Sequence, residues 1–492
     1  MSVIKLEGKR TYPHQRRQPR MYSYQQEAIE WMDIREQDRV TPGGFLCHEM
    51  GLGKTHIMCA LIRSRLVRRT VVLTTKSTIE SWASTLREHS NFAFDVRTKI
   101  EELPAARPLV LVVTHQSVLR NHEWLEAQFF DRVVVDEAHI MRNRSKTFFK
   151  MRNLAAIARF RWGITATPFN NRDSDMIPYM MFLRPTDDRV KAVAFKHYFL
   201  RKLRADVLPV GPKLTMTKMV YSFESVEEQR LYDYVAGRID DTNRWIAQNQ
   251  RLIPWRQQGS MMLTMLMRQR QAAIHPQLVL NSEKVWAAQL PGDIEVGDWD
   301  PTKVTKANKI LELTRDDVLH GRSTMVVTHF KDEIRLLKDR FTAAGMEVDI
   351  LDGSTSQAAR RLLETKPTVS LPHSELSKIL ENHVPEDIAK NVLSFLQPTV
   401  LLLQIQAGGV GISLPWVHHV INAAPDWNPF LEKQSIFRAY RINTKHDVHV
   451  TSMYFRDTID ITIQEKQKAK LEQSLVWLGD PEESIHDFVA MP

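Results

Sequence analysis

A glycine-rich segment near the N-terminus carries residue types that bind phosphate groups. Gly44-Phe45-Leu46-Cys47 reads as a strand end, and His48-Glu49-Met50-Gly51-Leu52-Gly53-Lys54-Thr55 follows it, before a helical pattern begins at Ile57. Backbone N–H groups in such a turn, together with the positive end of the next helix, attract a triphosphate. Lys54 is expected to reach the β- and γ-phosphates, and Thr55 is expected to ligate Mg²⁺. His48 stands where the usual pattern has its first glycine.

Two adjacent carboxylates, Asp136 and Glu137, follow the apolar run Arg132–Val135. Open α/β sheets bind ligands at the carboxyl ends of parallel strands, so the pair falls where a nucleotide would lie. Asp136 is predicted to hold Mg²⁺, and Glu137 is predicted to orient and deprotonate the attacking water. Taken alone, a strand-end Asp-Glu pair is more often a helix cap. Combined with Lys54 and Thr55 upstream, the pair indicates nucleotide hydrolysis.

The elements that must position these residues alternate along the chain, with one set at roughly 40–170 and a second at roughly 305–455. The apolar, β-branched runs are Thr70–Thr74, Leu109–Thr114, Arg132–Val135, Thr324–Thr328, Thr399–Leu403 and His418–Asn422. Strands of this kind are buried on both faces, as in parallel sheets covered by helices. We therefore predict an α/β fold with two parallel-sheet lobes.

A stretch without strand signals separates the two sets. Ser225–Pro276 has helical spacing and is rich in aromatic residues and arginine, and Glu375–Phe395 is a helical segment inside the second set. We predict a basic N-terminal tail at 1–20, a first lobe at 21–205, a helical protrusion and linker at 206–300, a second lobe at 301–475 with an insertion near 365–395, and a C-terminal tail at 476–492.

The composition is typical of a folded soluble chain, with 43% hydrophobic and 25% charged residues. No apolar run approaches the ~20 residues needed to cross a bilayer, so no membrane partner is expected. A net charge of +9 favours a polyanionic partner, although it is spread over 492 residues. Cys47 and Cys59 are the only cysteines, which favours a reducing compartment and core positions for both.

An N-terminal basic cluster fits a nuclear address, a phosphate-binding arm or a solvated tail. It comprises Lys9, Arg10, Arg16, Arg17 and Arg20.

Taken in order, these segments resemble the SWI/SNF-type ATPases of helicase superfamily two. Met21–Met32 is similar to the family's adenine-reading segment, with Gln25 at the glutamine position. Gly43–Thr55 is similar to its nucleotide loop, and Asp136–His139 (DEAH) to its Mg²⁺ and water box. The resemblance implies two RecA-like lobes with helical protrusions between and within them.

Further motifs extend the resemblance beyond the nucleotide loop. Thr165-Ala166-Thr167-Pro168-Phe169-Asn170-Asn171 is similar to the coupling motif, which implies coupling roles for Thr165, Thr167 and His139. His139 could instead be a packed loop histidine. Phe199–Pro209 and Leu266–Leu278 are similar to segments that follow the first lobe in this family and separate it from RNA helicases.

In the second lobe, Leu351–Thr355 and Gln406–Leu414 are similar to the family's nucleic-acid and nucleotide segments. Asp426-Trp427-Asn428-Pro429 then leads into a segment similar to its arginine-finger helix. Gln434, Arg438 and Arg441 are spaced to fall on one helix face. In isolation such a stripe is more often a solvated face or a salt-bridge ladder. The resemblance implies arginines that stabilise the γ-phosphate when the lobes close, with Arg441 the stronger candidate.

The chain departs from the family pattern at three motifs. Cys47-His48 replaces Ala-Asp, Thr165-Ala166 replaces Thr-Gly, and Asn443-Thr444 replaces Gly-Gln. The phosphate ligands stay intact, so the departures bear on coupling and DNA grip. In length the chain is similar to compact members from large DNA viruses, such as the global transactivators of insect viruses.

The resemblance implies a double-stranded DNA translocase that uses ATP and Mg²⁺ to remodel or displace DNA-bound proteins. Its role would lie in transcription regulation or in chromatin and DNA maintenance, with transcription machinery or other DNA-bound proteins as partners. Backbone amides and the hydroxyls of Ser77, Thr114, Thr328 and Ser354 are weak candidates for phosphate contacts, which position a protein without reading sequence.

Two other classes of function remain open. A DEAH-type RNA helicase would be stimulated by RNA rather than DNA, and a non-catalytic nucleic-acid-binding scaffold would bind without turnover. A DNA substrate and the basic N-terminus favour a nuclear location, which would be the host nucleus for a viral protein. A virus factory or a bacterial cytoplasm would explain the same residues.

Overall fold

The computed structural model describes residues 21–91, 93–101, 103, 107–168, 175–184, 196–207, 211–249, 254–281, 297–368, 399–409 and 412–478. The chain divides into two compact units, Met1–Val207 and Leu208–Pro492. Several predictions lie outside the described residues: the basic tail at 1–20, Phe169-Asn170-Asn171, the insertion Glu375–Phe395 and the end of the C-terminal tail.

The first unit contains seven strands and eight α-helices among its described residues. They are α1 Ser23–Glu36, β1 Gly43–Leu46, α2 Lys54–Ser64, β2 Arg69–Thr74, α3 Ile79–Ser90, β3 Asp95–Arg97, β4 Leu109–Thr114, α4 His115–Arg120, α5 His122–Ala127, β5 Arg132–Asp136, α6 Lys146–Ala156, β6 Phe160–Ile164, α7 Met176–Leu183, β7 Phe199–Leu200 and α8 Arg204–Val207. A 3₁₀ helix, Ala138–Asn143, follows β5 directly.

All strand pairs of the first sheet are parallel, in the order β3-β4-β2-β5-β6-β1-β7. The central strands are apolar and buried, because helices cover both faces. One core cluster joins α1, α2 and α3 to the sheet and includes Met32, Ile57, Trp82 and Trp162. The order places β2, β5, β6 and β1 side by side, so their carboxyl ends share one edge.

The second unit contains six strands and eight α-helices among its described residues. They are β8 Leu214–Tyr221, α9 Val226–Gln248, α10 Trp255–Ile274, α11 Pro276–Leu280, α12 Thr305–Leu319, β9 Thr324–Thr328, α13 Lys331–Ala343, β10 Val348–Leu351, α14 Gln357–Glu364, β11 Val400–Gln404, β12 His419–Asn422, α15 Pro429–Ala439, β13 Val448–Phe455 and α16 Ile459–Leu478.

The second sheet is also parallel, in the order β10-β11-β9-β12-β13-β8. Its edge strand β8 was not predicted, because Leu214–Tyr221 lies in the stretch predicted to be helical protrusion and linker. Leu214 and Met216 pack on the core cluster of the second sheet, while Thr215 and Thr217 occupy the alternate positions. This half-buried alternation differs from the continuous apolar runs of the inner strands.

The fold class and the six predicted strands are confirmed, with strand ends that differ by no more than one residue from the predicted ones. The helices predicted within Ser225–Pro276 correspond to α9 and α10, which pack against each other. Within the described parts of the chain, no helix is long and apolar enough to cross a membrane.

Candidate active site

The predicted nucleotide-binding residues of the first unit meet at one edge of the sheet. The loop 47–53 leaves β1, Asp136 ends β5, and Thr165 follows β6. Thr74 ends β2, which pairs with β5. Four adjacent parallel strands therefore bring residues far apart in sequence to the edge where open α/β sheets bind ligands.

The loop reaches the helix through two glycines in the left-handed region, Gly51 at φ 80° and Gly53 at φ 73°. Gly53 is the N-cap of α2. A Cβ atom at Gly53 would lie 2.6 Å from Nε2 of Gln25, so a larger residue would displace that side chain. The turn therefore requires glycine for its backbone angles and for the close approach of Gln25.

Lys54 is turned back onto the loop that precedes it. Its Nζ donates to the carbonyl of His48 at 2.8 Å and to the carbonyl of Glu49 at 3.0 Å. Burial lowers the pKa of Lys54 to about 8, although Glu137 and Asp136 oppose the shift. A triphosphate would offer this ammonium a stronger partner than two carbonyl groups.

Gln25 lies at the start of α1 and ties the loop to that helix. Its Oε1 accepts from the backbone N–H of Tyr22 at 3.0 Å, and its Nε2 donates to the carbonyl of Leu52 at 3.3 Å. The hydroxyl of Tyr24 donates to the same carbonyl at 3.2 Å. The structure thus places Gln25 against the loop, and its adenine-reading role stays a prediction.

Glu49 fixes the other flank of the loop. Its backbone N–H donates to the carbonyl of Lys202 at 3.0 Å, and its carboxylate accepts from the backbone N–H of Arg204 at 2.7 Å. Arg201 donates to the carbonyls of Cys47 at 2.9 Å and Ala166 at 3.1 Å. The segment after β7 therefore fastens the loop 47–53 to the Thr165–Thr167 loop, and this role of Arg201 was not predicted.

Asp136 sits at the buried end of β5. Its Oδ2 accepts from the Thr74 hydroxyl at 2.8 Å and from Nε1 of Trp82 at 2.7 Å. Burial and the neighbouring charge of Glu137 raise the pKa of Asp136. A divalent cation would relieve both effects, so the donor set suits Mg²⁺, with Thr55 at the start of α2 as a hydroxyl ligand.

Glu137 adopts the left-handed region at φ 48°, which is uncommon for a residue with a side chain. Its Oε2 lies 3.2 Å from Nδ1 of His139, and the same nitrogen lies 3.5 Å from the Thr165 hydroxyl. The Thr165 hydroxyl accepts from the backbone N–H of Thr167 at 3.1 Å. The structure therefore joins Glu137 to the predicted coupling residues through one imidazole.

Arg142 extends this connection and was not among the predicted residues. Its Nε donates to the carbonyl of His139 at 3.2 Å, and its Nη1 donates to the carbonyl of Thr167 at 3.3 Å. The sequence signal that could have identified Arg142 was its spacing of three residues from His139, which is one turn of a 3₁₀ helix.

His48 is fully buried, and neither ring nitrogen has a hydrogen-bond partner among the described residues. Burial and the charges of Lys54, Lys202 and Arg201 lower the pKa of His48 to about 3. The ring is therefore neutral at physiological pH, among three cations. Cys47 and Cys59 are both buried, as predicted for core residues.

The predicted arginines of the second unit converge on one carbonyl group. Arg438 Nη1 lies 3.4 Å from the Ile412 carbonyl oxygen, and Arg441 Nη2 lies 2.8 Å from it. Gln434 lies on α15 and is half-buried. Burial lowers the pKa of Arg441 to about 10, while Glu364 opposes the shift, so the side chain stays cationic at neutral pH.

The prediction that all three residues share one helix is wrong, because α15 ends at Ala439 and Arg441 lies beyond it. The Thr444 hydroxyl ends the helix: it donates to the carbonyl of Ala439 at 2.6 Å and accepts from the backbone N–H of Arg441 at 2.9 Å. Tyr440 turns away and donates to the carbonyl of Pro212 at 2.8 Å.

The hydroxyls suggested for nucleic-acid contacts differ in exposure. Thr328 is fully buried, and its hydroxyl donates to the Leu403 carbonyl at 3.1 Å. The predicted phosphate contact would need an exposed hydroxyl, which Thr328 does not have. The Thr114 hydroxyl caps α4 by accepting from the backbone N–H of Ser117. Ser354 is exposed and donates to Asp352 at 2.7 Å, and Ser77 lies 3.0 Å from the Thr75 hydroxyl.

Two protein-family models match the chain. An SNF2-related domain covers residues 24–220, and a helicase conserved C-terminal domain covers residues 303–443. The matches coincide with most of the first unit and with much of the second.

Known proteins align along almost all of the chain. An uncharacterized ATP-dependent helicase of Mycoplasma pneumoniae is 26% identical over 92% of this chain and 41% of its own length. A probable global transactivator of Orgyia pseudotsugata multicapsid polyhedrosis virus is 24% identical over 94% of this chain and 91% of its own length. The ISWI chromatin-remodeling complex ATPase ISW2 of Saccharomyces cerevisiae is 24% identical, over 94% of this chain and 41% of its own.

The chain thus spans less than half of the mycoplasma and yeast relatives and nearly all of the viral one. Among solved structures, the Sulfolobus solfataricus SWI2/SNF2 ATPase core in complex with dsDNA aligns over 96% of this chain and 97% of its own. The identity is 18% and the TM-score is 0.38.

Proposed function

Because this chain belongs to the SNF2-related family of helicase-like ATPases, we propose that it hydrolyses ATP in response to duplex DNA and moves along it. The movement would remodel or displace proteins bound to the DNA. The observation that carries the proposal is the meeting of Lys54, Asp136 and Glu137 at one sheet edge, next to a glycine-turned loop at the start of a helix.

Each group at this edge has a role in phosphoryl transfer. Bound Mg²⁺ would supply charge neutralisation at the phosphates, held by Thr55 and Asp136. Lys54 would leave its two carbonyl partners for the β- and γ-phosphates. Glu137 would orient and deprotonate the attacking water, with His139 fixing the direction of its carboxylate through the 3.2 Å contact.

His139, Thr165 and Arg142 would transmit the state of the nucleotide to the Thr165–Thr167 loop. The support is the continuous chain of contacts from Glu137 to His139, Thr165 and Thr167, closed by Arg142. Loss of the γ-phosphate would change the charge near Glu137 and therefore the hydrogen bonding of His139.

Arg441, with Arg438 and Gln434 as neighbours, would complete the reaction by stabilising charge on the γ-phosphate. Both arginines contact the Ile412 carbonyl, so an exchange of this neutral acceptor for phosphate oxygens would be favourable. Removal of Arg441 should therefore lower turnover and leave ATP binding largely intact.

The DNA grip would be made by backbone amides, hydroxyls such as Ser77, Thr114 and Ser354, and basic side chains. Such contacts position a protein without reading base sequence. Affinity should fall steeply with salt, because each neutralised phosphate releases counterions. The net charge of +9 is consistent with this mode of binding. A DNA substrate also favours a nuclear location.

The experiment is steady-state ATP hydrolysis by the purified chain with no nucleic acid, duplex DNA, single-stranded DNA or RNA. Glu137→Gln serves as the control for contaminating ATPases. Greatest stimulation by duplex DNA supports the proposal, and displacement of a bound protein from that duplex would test the remodelling step. Greatest stimulation by RNA would instead indicate an RNA helicase, and binding without turnover would indicate a scaffold.

A further inference from the structure

The segment Asp426–Asn428 connects β12 to α15, the helix that carries Gln434 and Arg438. Asn428 is the N-cap of α15, and its side chain accepts from the backbone N–H of Phe430 at 3.2 Å. Asp426 Oδ1 in turn accepts from the backbone N–H of Asn428 at 2.8 Å. The conformation of this short segment therefore determines where α15 begins.

Arg270, near the end of α10, holds the segment from one side. Its Nη2 donates to the carbonyl of Pro425 at 2.6 Å and to Oδ2 of Asp426 at 3.2 Å. Arg270 and Asp426 are both buried, at 8% and 7% exposure. His329 Nε2 also lies 3.6 Å from Asp426, but burial and the charge of Arg270 keep its pKa well below the usual range, so Arg270 supplies the cation.

The C-terminal helix α16 holds the same segment from another side. Gln467 Nε2 donates to the carbonyl of Asp426 and to Oε1 of Glu432, each at 2.5 Å. Lys470 donates to the carbonyl of Trp427 at 2.6 Å. Glu432, on α15, accepts from the backbone N–H of Asp426 at 2.6 Å, which closes the connection.

We propose that Arg270 is a positioning residue for the γ-phosphate arginines, acting through the Asp426–Asn428 segment and α15. The inference rests on the proposed function of Arg441. Gln467 and Lys470 of α16 donate to backbone carbonyls of the segment and could hold its backbone without Arg270, but neither donates to the Asp426 carboxylate as Arg270 does. A buried carboxylate without its cation could not keep its present place, because a buried unpaired charge is strongly unfavourable.

Arg270→Met tests this, because methionine keeps much of the side-chain volume and removes the charge and the donors. Arg268→Met is the matched control, two residues earlier on the same helix, where Arg268 donates to Gln271 at 2.8 Å. We expect Arg270→Met to lower kcat roughly 10- to 100-fold while the Kd for a fluorescent ATP analogue changes little. Arg270→Lys should recover part of the loss, because it restores a cation.

A double-mutant cycle with Arg441→Ala separates positioning from general damage. If Arg270 acts through Arg441, Arg270→Met should have little further effect on kcat in the Arg441→Ala background. Additive losses would overturn the proposal, as would an equal loss from Arg268→Met.

Hydrogen–deuterium exchange provides a readout that does not depend on turnover. Peptides that cover 429–441 should exchange faster in Arg270→Met than in Arg268→Met, and unchanged exchange there would overturn the positioning role even if the wild-type chain showed no ATPase activity. Failure of the wild-type chain to hydrolyse ATP would instead count against the proposed function alone. If Arg270→Met does not fold, Lys470→Met provides a second test. It removes the half-buried side chain that donates to the Trp427 carbonyl, and it should give the same faster exchange in peptides that cover 429–441.

Discussion

The Nζ atom of Lys54 lies 2.8 Å from the carbonyl oxygen of His48. Together with the Glu49 carbonyl at 3.0 Å, this contact folds the lysine across its own loop. Two neutral acceptors in a buried setting stabilise an ammonium poorly, and the pKa of Lys54 falls to about 8 from its ordinary 10.5. The loop without nucleotide therefore holds a lysine whose charge depends on pH within an accessible range.

We predict that ATP affinity decreases as pH rises through about 8. Lys54 loses its proton there in the nucleotide-free protein, whereas bound phosphates favour the protonated form. The Kd should rise by up to about tenfold for each pH unit above that value. Titration calorimetry between pH 7 and 9.5 measures this, and Lys54→Arg, which stays charged, should show a flatter profile. A pH-independent Kd in the wild-type chain would contradict the assignment.

Lys54 should also make the free energy of unfolding depend on pH. Because its folded pKa lies below the unfolded value, the unfolded chain binds more protons between about 8 and 10.5. The contribution of this group to the free energy of unfolding should therefore rise with pH across that window.

Glu137→Gln should abolish turnover while ATP remains bound. Loss of the general base typically costs on the order of 10²- to 10⁴-fold in rate. Glutamine has nearly the same shape and can keep the left-handed backbone at φ 48° that the surrounding fold imposes. Single-turnover hydrolysis and equilibrium binding of a fluorescent ATP analogue separate the two effects. Equal losses of binding and rate would mean that Glu137 holds the nucleotide rather than the water.

How much of the site the sequence predicts depends on the kind of residue. The positions of Lys54 and Thr55 at the start of α2 and of Asp136 at the end of β5 were predictable, because glycine-rich turns and strand-end carboxylates have fixed residue types at fixed spacing. Arg142 and Arg201 were not, because each acts through carbonyl groups that any residue supplies. Their partners are determined by the backbone path of separate loops, which is a tertiary property.

The same distinction applies to the fold. The inner strands, such as Leu109–Thr114, were predictable from continuous apolar runs, whereas β8 at the edge was not. The end of α15 was also missed, since its periodic spacing continues to Arg441. The Thr444 hydroxyl ends the helix by bonding the Ala439 carbonyl, and that contact has no periodic signal.

His48→Asp should weaken nucleotide binding in this chain, although aspartate is the residue that the resembled family carries at this position. The neutral ring lies among Lys54, Arg201 and Lys202, so the loop keeps its positive charge available for phosphates. A carboxylate there would pair with these cations and compete with ATP, with a loss of about tenfold for one partly screened charge pair. His48→Asn, which is neutral, should change affinity much less. Equal effects of both variants on the Kd would indicate a packing role for the ring.

Arg132→Met should strongly destabilise the first unit. Arg132 and Glu36 are both almost completely buried, and the guanidinium donates to both carboxylate oxygens at 2.7 Å, while Trp162 donates to one of them at 2.9 Å. Removing Arg132 leaves the buried Glu36 carboxylate with only the partly exposed Arg65 as a cation, at 3.8 Å, so the cost should approach about 3–5 kcal/mol.

The stability of this unit can be measured by urea unfolding, with release of a bound fluorescent ATP analogue as the signal. Arg244→Met, which breaks the exposed pair with Asp241, is the control and should change stability by less than about 1 kcal/mol. Replacing both members of the buried pair, as Arg132→Met with Glu36→Leu, should recover part of the loss because no buried carboxylate remains at this position. If the double variant is as unstable as Arg132→Met alone, the loss comes from packing around β5 rather than from the stranded carboxylate.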